Sequence, residues 1–404
     1  MRRANLSGVA SVDDLRSLAQ RRLPRILFDF LDGAAGDERT AAANRQGLNS
    51  IALRQRVLAQ NGHLDTRTVV PGGLLQLPFM LAPMAFAGLF HRDRERGSTI
   101  AAAGAGIGHC LALASIDSLE TVRAASPDAL LYLQLYKLRD RGILLDIIER
   151  ARAARVAALV LTVDVPVHGR RYRDMRNGFY QLPRITARTL ADFIGHLPWL
   201  ASTMAGGRLS FGNIAAYTTD ASADFFLRQV DPDLNWDDLE WIRAHWNGPV
   251  IVKGIMAPID ALRAADEGVE GLVISNHGGR QLEGSLASVD ALAEVKQVVG
   301  ERVFLFVDSG IRHGADLVRM LALGAGACLV GRPWGYGLAA AGTVGVAHAI
   351  DLLGQELLTT LRLQGLNRTT QCRQAVVSRY RPGAIARTAL SRSPAPSSWH
   401  AVAD

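Results

Sequence analysis

Short apolar runs recur along the chain and alternate with longer stretches in which apolar and polar positions are mixed. The runs predict strands at Phe79–Ala82, His109–Ala114, Leu130–Leu135, Ala158–Val163, Pro249–Lys253, Gly271–Ser275, Val303–Asp308 and Ala327–Gly331. The stretches between them predict helices, among them Arg94–Ala105, Arg139–Ala153, Pro258–Ala265, Val289–Val299 and Gly314–Leu323. Apolar runs that alternate with helices are the pattern of a parallel sheet covered on both faces. Eight such units predict a closed barrel. The fold class is therefore α/β, a single (βα)8 TIM barrel with an N-terminal helical segment over Val12–Arg45 and a long insertion after strand 4.

That insertion is the irregular feature. Roughly 80 residues separate Asp164 from Pro249, where a few loop residues and one helix would suffice. Leu190, Phe193, Leu197, Trp199, Leu200 and Met204 fall among Arg184, Arg188, His196 and Arg208. The mixture suits an amphipathic surface segment with basic flanks; a self-packed loop over the barrel mouth is the alternative. The barrel is expected to occupy residues 1–381, with the insertion at about 176–228. The Pro/Ser/Ala-rich tail at 382–404 is expected to be disordered.

Hydrophobic residues make up 49% of the 404, enough for a large core, and no uninterrupted apolar stretch is long enough to read as a membrane span. Cys110, Cys328 and Cys372 are few and unpatterned, which argues against a disulfide framework or zinc site and suits a reducing cytoplasm. No metal-ligand spacing is evident. The net charge of +7 favours anionic partners. Nucleic acid is not expected, because the basic residues are dispersed and no binding motif accompanies them. Gly104-Ala105-Gly106-Ile107-Gly108 imitates half a dinucleotide fingerprint but closes a helix and leads into a strand, the reverse of the required order.

In a barrel of this kind the loops after the strands assemble the site. Here the strand ends are polar in succession: Gln134 and Tyr136, Thr162 and Asp164, Lys253, Ser275 to Arg280, Asp308 to Arg312, and Gly331-Arg332. The last two loops are the usual phosphate site. Gly310 and Gly331 let backbone N–H groups approach an anion, and Arg312 and Arg332 offer forked donors. Lys253 has two functional readings: a desolvated Schiff-base nucleophile, or a charged group that stabilises negative charge on a cofactor ring. His277 is the candidate general base, with Asp164 fixing its tautomer. Tyr136, Arg171 and Arg280 are candidates for holding a carboxylate. Arg170 reads as an ordinary solvated charge.

These residues closely resemble the FMN-dependent 2-hydroxy acid oxidase/dehydrogenase family, of L-lactate dehydrogenase, glycolate oxidase and mandelate dehydrogenase type. The similarity runs from about Leu23 to Leu366 and is most specific at SNHGGRQL (Ser275–Leu282), DSGIRHG (Asp308–Gly314), LQLY (Leu133–Tyr136) and LTVDVPVHGRR (Leu161–Arg171). It implies that Pro83, Met84, Ala85, Gln134, Thr162, Lys253 and Ser275 line the flavin of a bound FMN. Asp308, Gly310, Arg312, Gly331 and Arg332 would hold its ribityl and phosphate groups. His277 would be the base and Asp164 its partner, with Tyr136, Arg171 and Arg280 on the substrate. The implied reaction oxidises an (S)-2-hydroxy acid to the 2-oxo acid, L-lactate to pyruvate in the simplest case. Quinone, another electron carrier or dioxygen would be the acceptor. A homo-oligomer in the cytoplasm is expected, with contact to the inner face of the membrane through the insertion.

Two positions depart from the family. Phe30 stands where a Tyr usually bonds the substrate carboxylate, and Ala112 where a Ser usually lies beside the flavin. Each loses a hydrogen bond worth about 0.5–1.5 kcal/mol, which predicts weaker carboxylate binding or a more apolar substrate. The alternatives are oxidation of a larger or aromatic 2-hydroxy acid by dioxygen, a barrel lyase or isomerase that binds its own substrate's phosphate, and a flavin-retaining protein without catalysis.

Overall fold

A computed structural model describes residues 6–59, 62–179, 186–207, 209–219, 222–374 and 377–379. Eight parallel strands close a barrel in chain order: β1 (Phe79–Leu81), β2 (His109–Ala112), β3 (Leu131–Leu135), β4 (Ala158–Thr162), β5 (Val250–Ile255), β6 (Gly271–Ile274), β7 (Phe304–Val307) and β8 (Ala327–Val330). β8 returns to β1, with Cys328 opposite Phe79 and Val330 opposite Leu81.

Alternate residues of each strand fall into two separate apolar clusters. Met80, Cys110, Tyr132, Val160, Ile251, Val273, Phe306 and Leu329 fill the barrel, together with Val70 and Leu75. Their chain neighbours Leu81, Leu111, Leu133, Leu161, Val252, Leu272, Val307 and Val330 pack outward with the helices. Both rows are buried, so the strands read as unbroken apolar runs rather than an alternating pattern. Val70 and Leu75 belong to a hairpin, Thr68–Val70 with Gly73–Leu75, that closes the N-terminal end. The Tyr132 hydroxyl donates to the Pro71 carbonyl there.

The strands stop slightly short of the predicted ends. Ala82, Val163, Ser275, Asp308 and Gly331 lie just beyond the ladder, where the backbone turns into the mouth loops. β5 instead runs two residues longer than predicted, through a bulge between Lys253 and Ile255. Gly254 makes that bulge with φ of +110°, and a β-carbon there would come within 2.6 Å of the Asp164 Cβ.

The N-terminal segment is three helices, α1 (Val12–Arg22), α2 (Arg25–Asp32) and α3 (Arg39–Asn49). Pro24 breaks the first join by forcing Leu23 into extended conformation. The segment packs on the mouth of the barrel: Ala35 N–H donates to the Gly279 carbonyl, and Arg45 donates to the Gly310 carbonyl. The last helix, Arg332–Leu363, is long and apolar enough to suit a membrane span by composition, but it is kinked at Ala341–Gly342 and much of it is buried against α1 and the helices at Arg94–Gly104 and Gly314–Ala322.

The insertion does two things. Helices Ala187–Gly195 and Leu197–Ala205 sit on the surface, tied down where Trp199 donates to the Leu89 carbonyl and where Arg25 N–H donates to Asp192. Beyond them, Phe211 is buried and Phe226, Leu227 and Val230 line the mouth. The two sequence-level alternatives for this segment describe different parts of it. Arg184, Arg208 and the tail from residue 382 lie outside the described residues.

Candidate active site

The mouth residues continue the inward-facing rows of the barrel. Two positions beyond Tyr132, Val160, Ile251, Val273, Phe306 and Leu329 come Gln134, Thr162, Lys253, Ser275, Asp308 and Gly331. One period-2 parity therefore builds the apolar plug and then, at the next step, a polar floor above it. Two more residues carry β3 to Tyr136 and β4 to Asp164. Of the predicted residues, Ser275 and Asp164 alone are absent from the lining of the mouth cleft, and both bond to residues that line it.

Lys253 is buried at the centre of the floor. Its Nζ donates to Ser275 Oγ at 3.0 Å and pairs with Asp308 at 3.3 Å. Burial pushes its pKa down, but Asp308, Asp164 and Tyr136 outweigh burial and hold it above the usual lysine value. It stays an ammonium, which removes the Schiff-base reading, since a nucleophilic amine must be neutral.

His277 adopts a left-handed backbone, φ 59°, followed by Gly278 and Gly279 at 67° and 77°. Such a run is strained for a histidine. Each of its three N–H groups is met by a side-chain oxygen: His277 N–H by Ser275, Gly278 N–H by Ser309 and Gly279 N–H by Asn276. The conformation turns the imidazole so that Nδ1 lies 3.1 Å from both oxygens of Asp164. That places the ring proton on Nδ1 and leaves Nε2 as the acceptor. Burial lowers the His277 pKa, Asp164 raises it and Lys253 lowers it again; the net shift is downward. Burial alone would raise Asp164, yet His277 and Lys253 hold it below its ordinary value. At neutral pH the pair is a carboxylate and a neutral imidazole.

Arg171, Arg280 and Tyr136 also line the cleft. Arg280 is lowered well below the usual range, by burial first and then by Arg171; burial likewise lowers Arg171. The nearest carboxylate to Arg171 is Asp174 at 3.7 Å. Two guanidiniums crowded in a poorly solvated space seek an anion. Burial and Asp164 push Tyr136 up to about 12, so it remains a phenol and a donor. Arg280 lies over the Phe30 ring at 4.8 Å and donates to the Phe30 and Gly33 carbonyls. Phe30 packs against Phe86 and Phe179, and Ala112 and Ala114 add to the apolar lining.

Gly310 and Gly331 precede Arg312 and Arg332. Gly331 caps the N-terminus of the helix Arg332–Leu363, where free N–H groups and the helix dipole favour an anion. Arg332 donates to the Gly278 and Gly33 carbonyls, and Arg312 to that of Ile311. Arg332 Nε and Thr162 Oγ1 are buried with no protein partner. The cleft encloses about 1660 Å3, counting its open part. An apolar wall from Pro83 to Ala85, a buried cation in the floor, orphaned donors and an anion-seeking end together fit a flat, phosphate-bearing cofactor such as FMN.

Several site residues escaped the sequence reading. Ser309 bonds both Gly278 and Asp308, and Asn44 exchanges amide hydrogen bonds with Asn276. Phe86, Phe179, Phe226 and His168 line the cleft from loops and the insertion. Ser309 and His168 lay within the quoted DSGIRHG and LTVDVPVHGRR stretches without being singled out, and no spacing signal marks the others. Gln281 lay within the quoted SNHGGRQL stretch, but nothing in the string distinguishes its amide from a solvated one.

Comparison with known proteins bears on this geometry directly. The sequence profile of the FMN-dependent dehydrogenase family matches residues 19–379. An L-lactate dehydrogenase of Caulobacter vibrioides (strain NA1000 / CB15N) is 42% identical over 382 residues, covering 93% of this chain and 99% of the relative. One of Pseudomonas syringae pv. syringae (strain B728a) is 41% identical, covering 90% and 97%. Among solved structures, the monotopic membrane protein (S)-mandelate dehydrogenase superposes with a TM-score of 0.87 at 32% identity, covering 92% of this chain and 99% of that one. A mandelate oxidase superposes at 0.80 with 36% identity, covering 91% and 98%. The barrel lyase reading is thereby set aside. A match that spans the barrel, the helices on its mouth and the insertion makes this chain a member of the FMN-dependent dehydrogenase family, oxidoreductases that act on hydroxy acids.

Proposed function

We propose that the chain oxidises an (S)-2-hydroxy acid to its 2-oxo acid, with L-lactate to pyruvate the primary case, and passes the electrons to quinone or another carrier. The observation that carries this reading is one cleft in which a neutral imidazole backed by a carboxylate shares the space with two guanidiniums and a phenol. Arg171, Arg280 and Tyr136 hold the substrate carboxylate and so fix which hydrogens of C2 and its hydroxyl face the reactive groups. His277 Nε2 accepts one substrate proton, and Asp164 stabilises the imidazolium that results. The C–H and O–H bonds at C2 both break as its C=O bond forms: one proton goes to His277, and the other proton and the electron pair go to the bound two-electron acceptor.

FMN supplies the two-electron acceptor. Pro83, Met84, Ala85, Gln134, Thr162, Lys253 and Ser275 would surround its ring and upper chain. Asp308, Gly310, Arg312, Gly331 and Arg332 would hold the ribityl and phosphate end. The Lys253 ammonium would favour negative charge on the ring. The test is anaerobic mixing of the flavin-loaded protein with a panel of 2-hydroxy acids, followed by an oxygen pulse. Rapid bleaching by L-lactate and slow recovery under oxygen are expected. No bleaching by any 2-hydroxy acid would overturn the assignment.

The same reading puts the enzyme on the inner face of the cell membrane through its insertion. Leu190, Ile194, Leu197 and Met204 are 52–74% exposed on two adjoining helices whose other sides are anchored to the protein. Burying such side chains in a bilayer interface contributes roughly 1.5–3 kcal/mol each when complete. Replacing all four with Gln should move the protein from the vesicle pellet to the supernatant in sedimentation, with turnover of L-lactate by a soluble acceptor retained.

A further inference from the structure

The loop after β4 carries Asp164 and Arg171, the partner of the base and one arm of the carboxylate clamp, yet Val163–Arg170 has no regular structure. An unsupported loop would let the two drift independently, and a displacement of about 1 Å at a reacting centre can cost about 100-fold in rate. Its two ends are held by the backbone, where Gly36 N–H donates to the Arg170 carbonyl at 2.8 Å and Val163 N–H to that of Lys253 at 2.9 Å; between them the support comes from one side chain on the β6 loop. Gln281 Nε2 donates to the Asp164 carbonyl at 2.9 Å and to the Val167 carbonyl at 2.9 Å, while its Oε1 accepts from Gly169 N–H at 3.3 Å. Both donors of the amide and its acceptor are engaged, all on this loop. The backbone contact is equally close: a β-carbon on Gly169 would meet the Arg280 carbonyl oxygen at 2.4 Å and that of Gln281 at 2.6 Å. Arg171 Nε donates to the same Arg280 carbonyl at 3.4 Å.

We propose that Gln281 is a positioning residue that locks the Asp164 loop against the His277 loop, so that proton acceptor and carboxylate clamp move as one unit. The inference rests on the reading of His277 and Arg171 above but adds a residue at the edge of the cleft whose amide is spent on the β4 loop. It explains how two loops, each bearing half of the machinery, keep a fixed separation. His277 is faced by Asp164, Lys253 and Arg171, with His168 also close enough to interact. Of these, Asp164 and Arg171 are on the loop that Gln281 holds, His168 lies between two of its bonds, and Lys253 is fixed independently by Ser275 and Asp308.

The test compares Gln281→Met and Gln281→Glu in the flavin-loaded enzyme. Methionine keeps the shape and loses all three bonds. Glutamate keeps length and the bond from Gly169 but loses both donations. For both variants kcat/KM for the preferred hydroxy acid should fall by about 10- to 100-fold, with kcat lowered and KM raised together. In Gln281→Met the acid limb of the pH profile should move to lower pH, because a displaced carboxylate no longer supports the imidazolium; the charge added in Gln281→Glu opposes that shift. Hydrogen exchange at residues 163–171 should rise while the barrel strands keep their protection. A loss of thermal stability with the acid limb and loop exchange unchanged would reduce Gln281 to a structural role and overturn the proposal. So would a glutamate variant within twofold of the parent. If instead His277→Gln retains turnover, the underlying reading fails, whatever the Gln281 variants do.

Discussion

Replacing His277 with Gln is expected to lower kcat/KM for the hydroxy acid by about 100- to 10,000-fold, the range for losing a positioned general base, while the protein stays yellow. The Gln side chain fills similar space but cannot take the proton, and the groups proposed to hold FMN, Ser275 apart, lie on other strands and loops. KM should change little, because Arg171, Arg280 and Tyr136 remain. Stopped-flow flavin reduction separates this loss from loss of binding. Retained bleaching at the parent rate would refute the role of His277.

The pH profile gives the same residue a signed test. As the proposed base His277 would act unprotonated, and its pKa lies below the ordinary 6.5 because burial outweighs the pull of Asp164. kcat/KM should therefore hold from neutral pH down to below 6.5 and fall only as the pH drops through that lowered value. Asp164→Asn removes the one raising influence while Lys253 and Arg171 remain. The acid limb should move further down, and the plateau should fall as well, since a weaker base with an unfixed tautomer accepts the proton less readily. A limb that moves upward would contradict this account.

Arg280→Met should cost about 2–5 kcal/mol of transition-state binding, the usual loss when one member of a buried ion pair is removed. That corresponds to about 30- to 5,000-fold in kcat/KM. Two features put it at the upper end. No second carboxylate-binding hydroxyl is available at residue 30, and only Arg171 and Tyr136 of the proposed clamp would remain. Arg280→Lys keeps the charge but not the planar fork, so it should recover only part of the loss. Because Arg280 also donates to the Phe30 and Gly33 carbonyls, melting temperature must be measured beside the kinetics. The converse change, Phe30→Tyr, adds a phenol beside Arg280 and should lower KM by about 2- to 10-fold for one net hydrogen bond. An unchanged KM would mean that the apolar ring contacts of Phe30 with Phe86 and Phe179 hold the residue away from the substrate.

The Phe30 case also marks where reading the string stops. Its identity was legible as a missing hydroxyl, but its place in an aromatic wall was not, because Phe86 arrives from the β1 loop and Phe179 from the β4 insertion, far apart in the chain. The insertion is similar. Composition exposed its amphipathic character, yet only the packing divides it into outward helices anchored by Trp199 and a mouth-lining stretch around Phe226. The single helical segment read over Val12–Arg45 resolves into three pieces, and its task is visible only where Gly33, Asn44 and Arg45 meet the mouth loops.

What the chain alone determined is the barrel and the identity of nearly all the polar residues at its mouth. These follow from local rules: apolar runs that alternate with helices make a parallel sheet, and polar residues at successive strand ends must share the space where the strands converge. What only the tertiary structure decided is the distances between loops. Whether Lys253 is neutral or charged depends on Asp308 from another strand, and the His277–Asp164 geometry depends on a strained turn held by Ser275 and Ser309. The unity of the site depends on an amide from Gln281 reaching across to the β4 loop. Burial, charge coupling and hydrogen bonding act through space between residues far apart in the chain, so no local pattern records them.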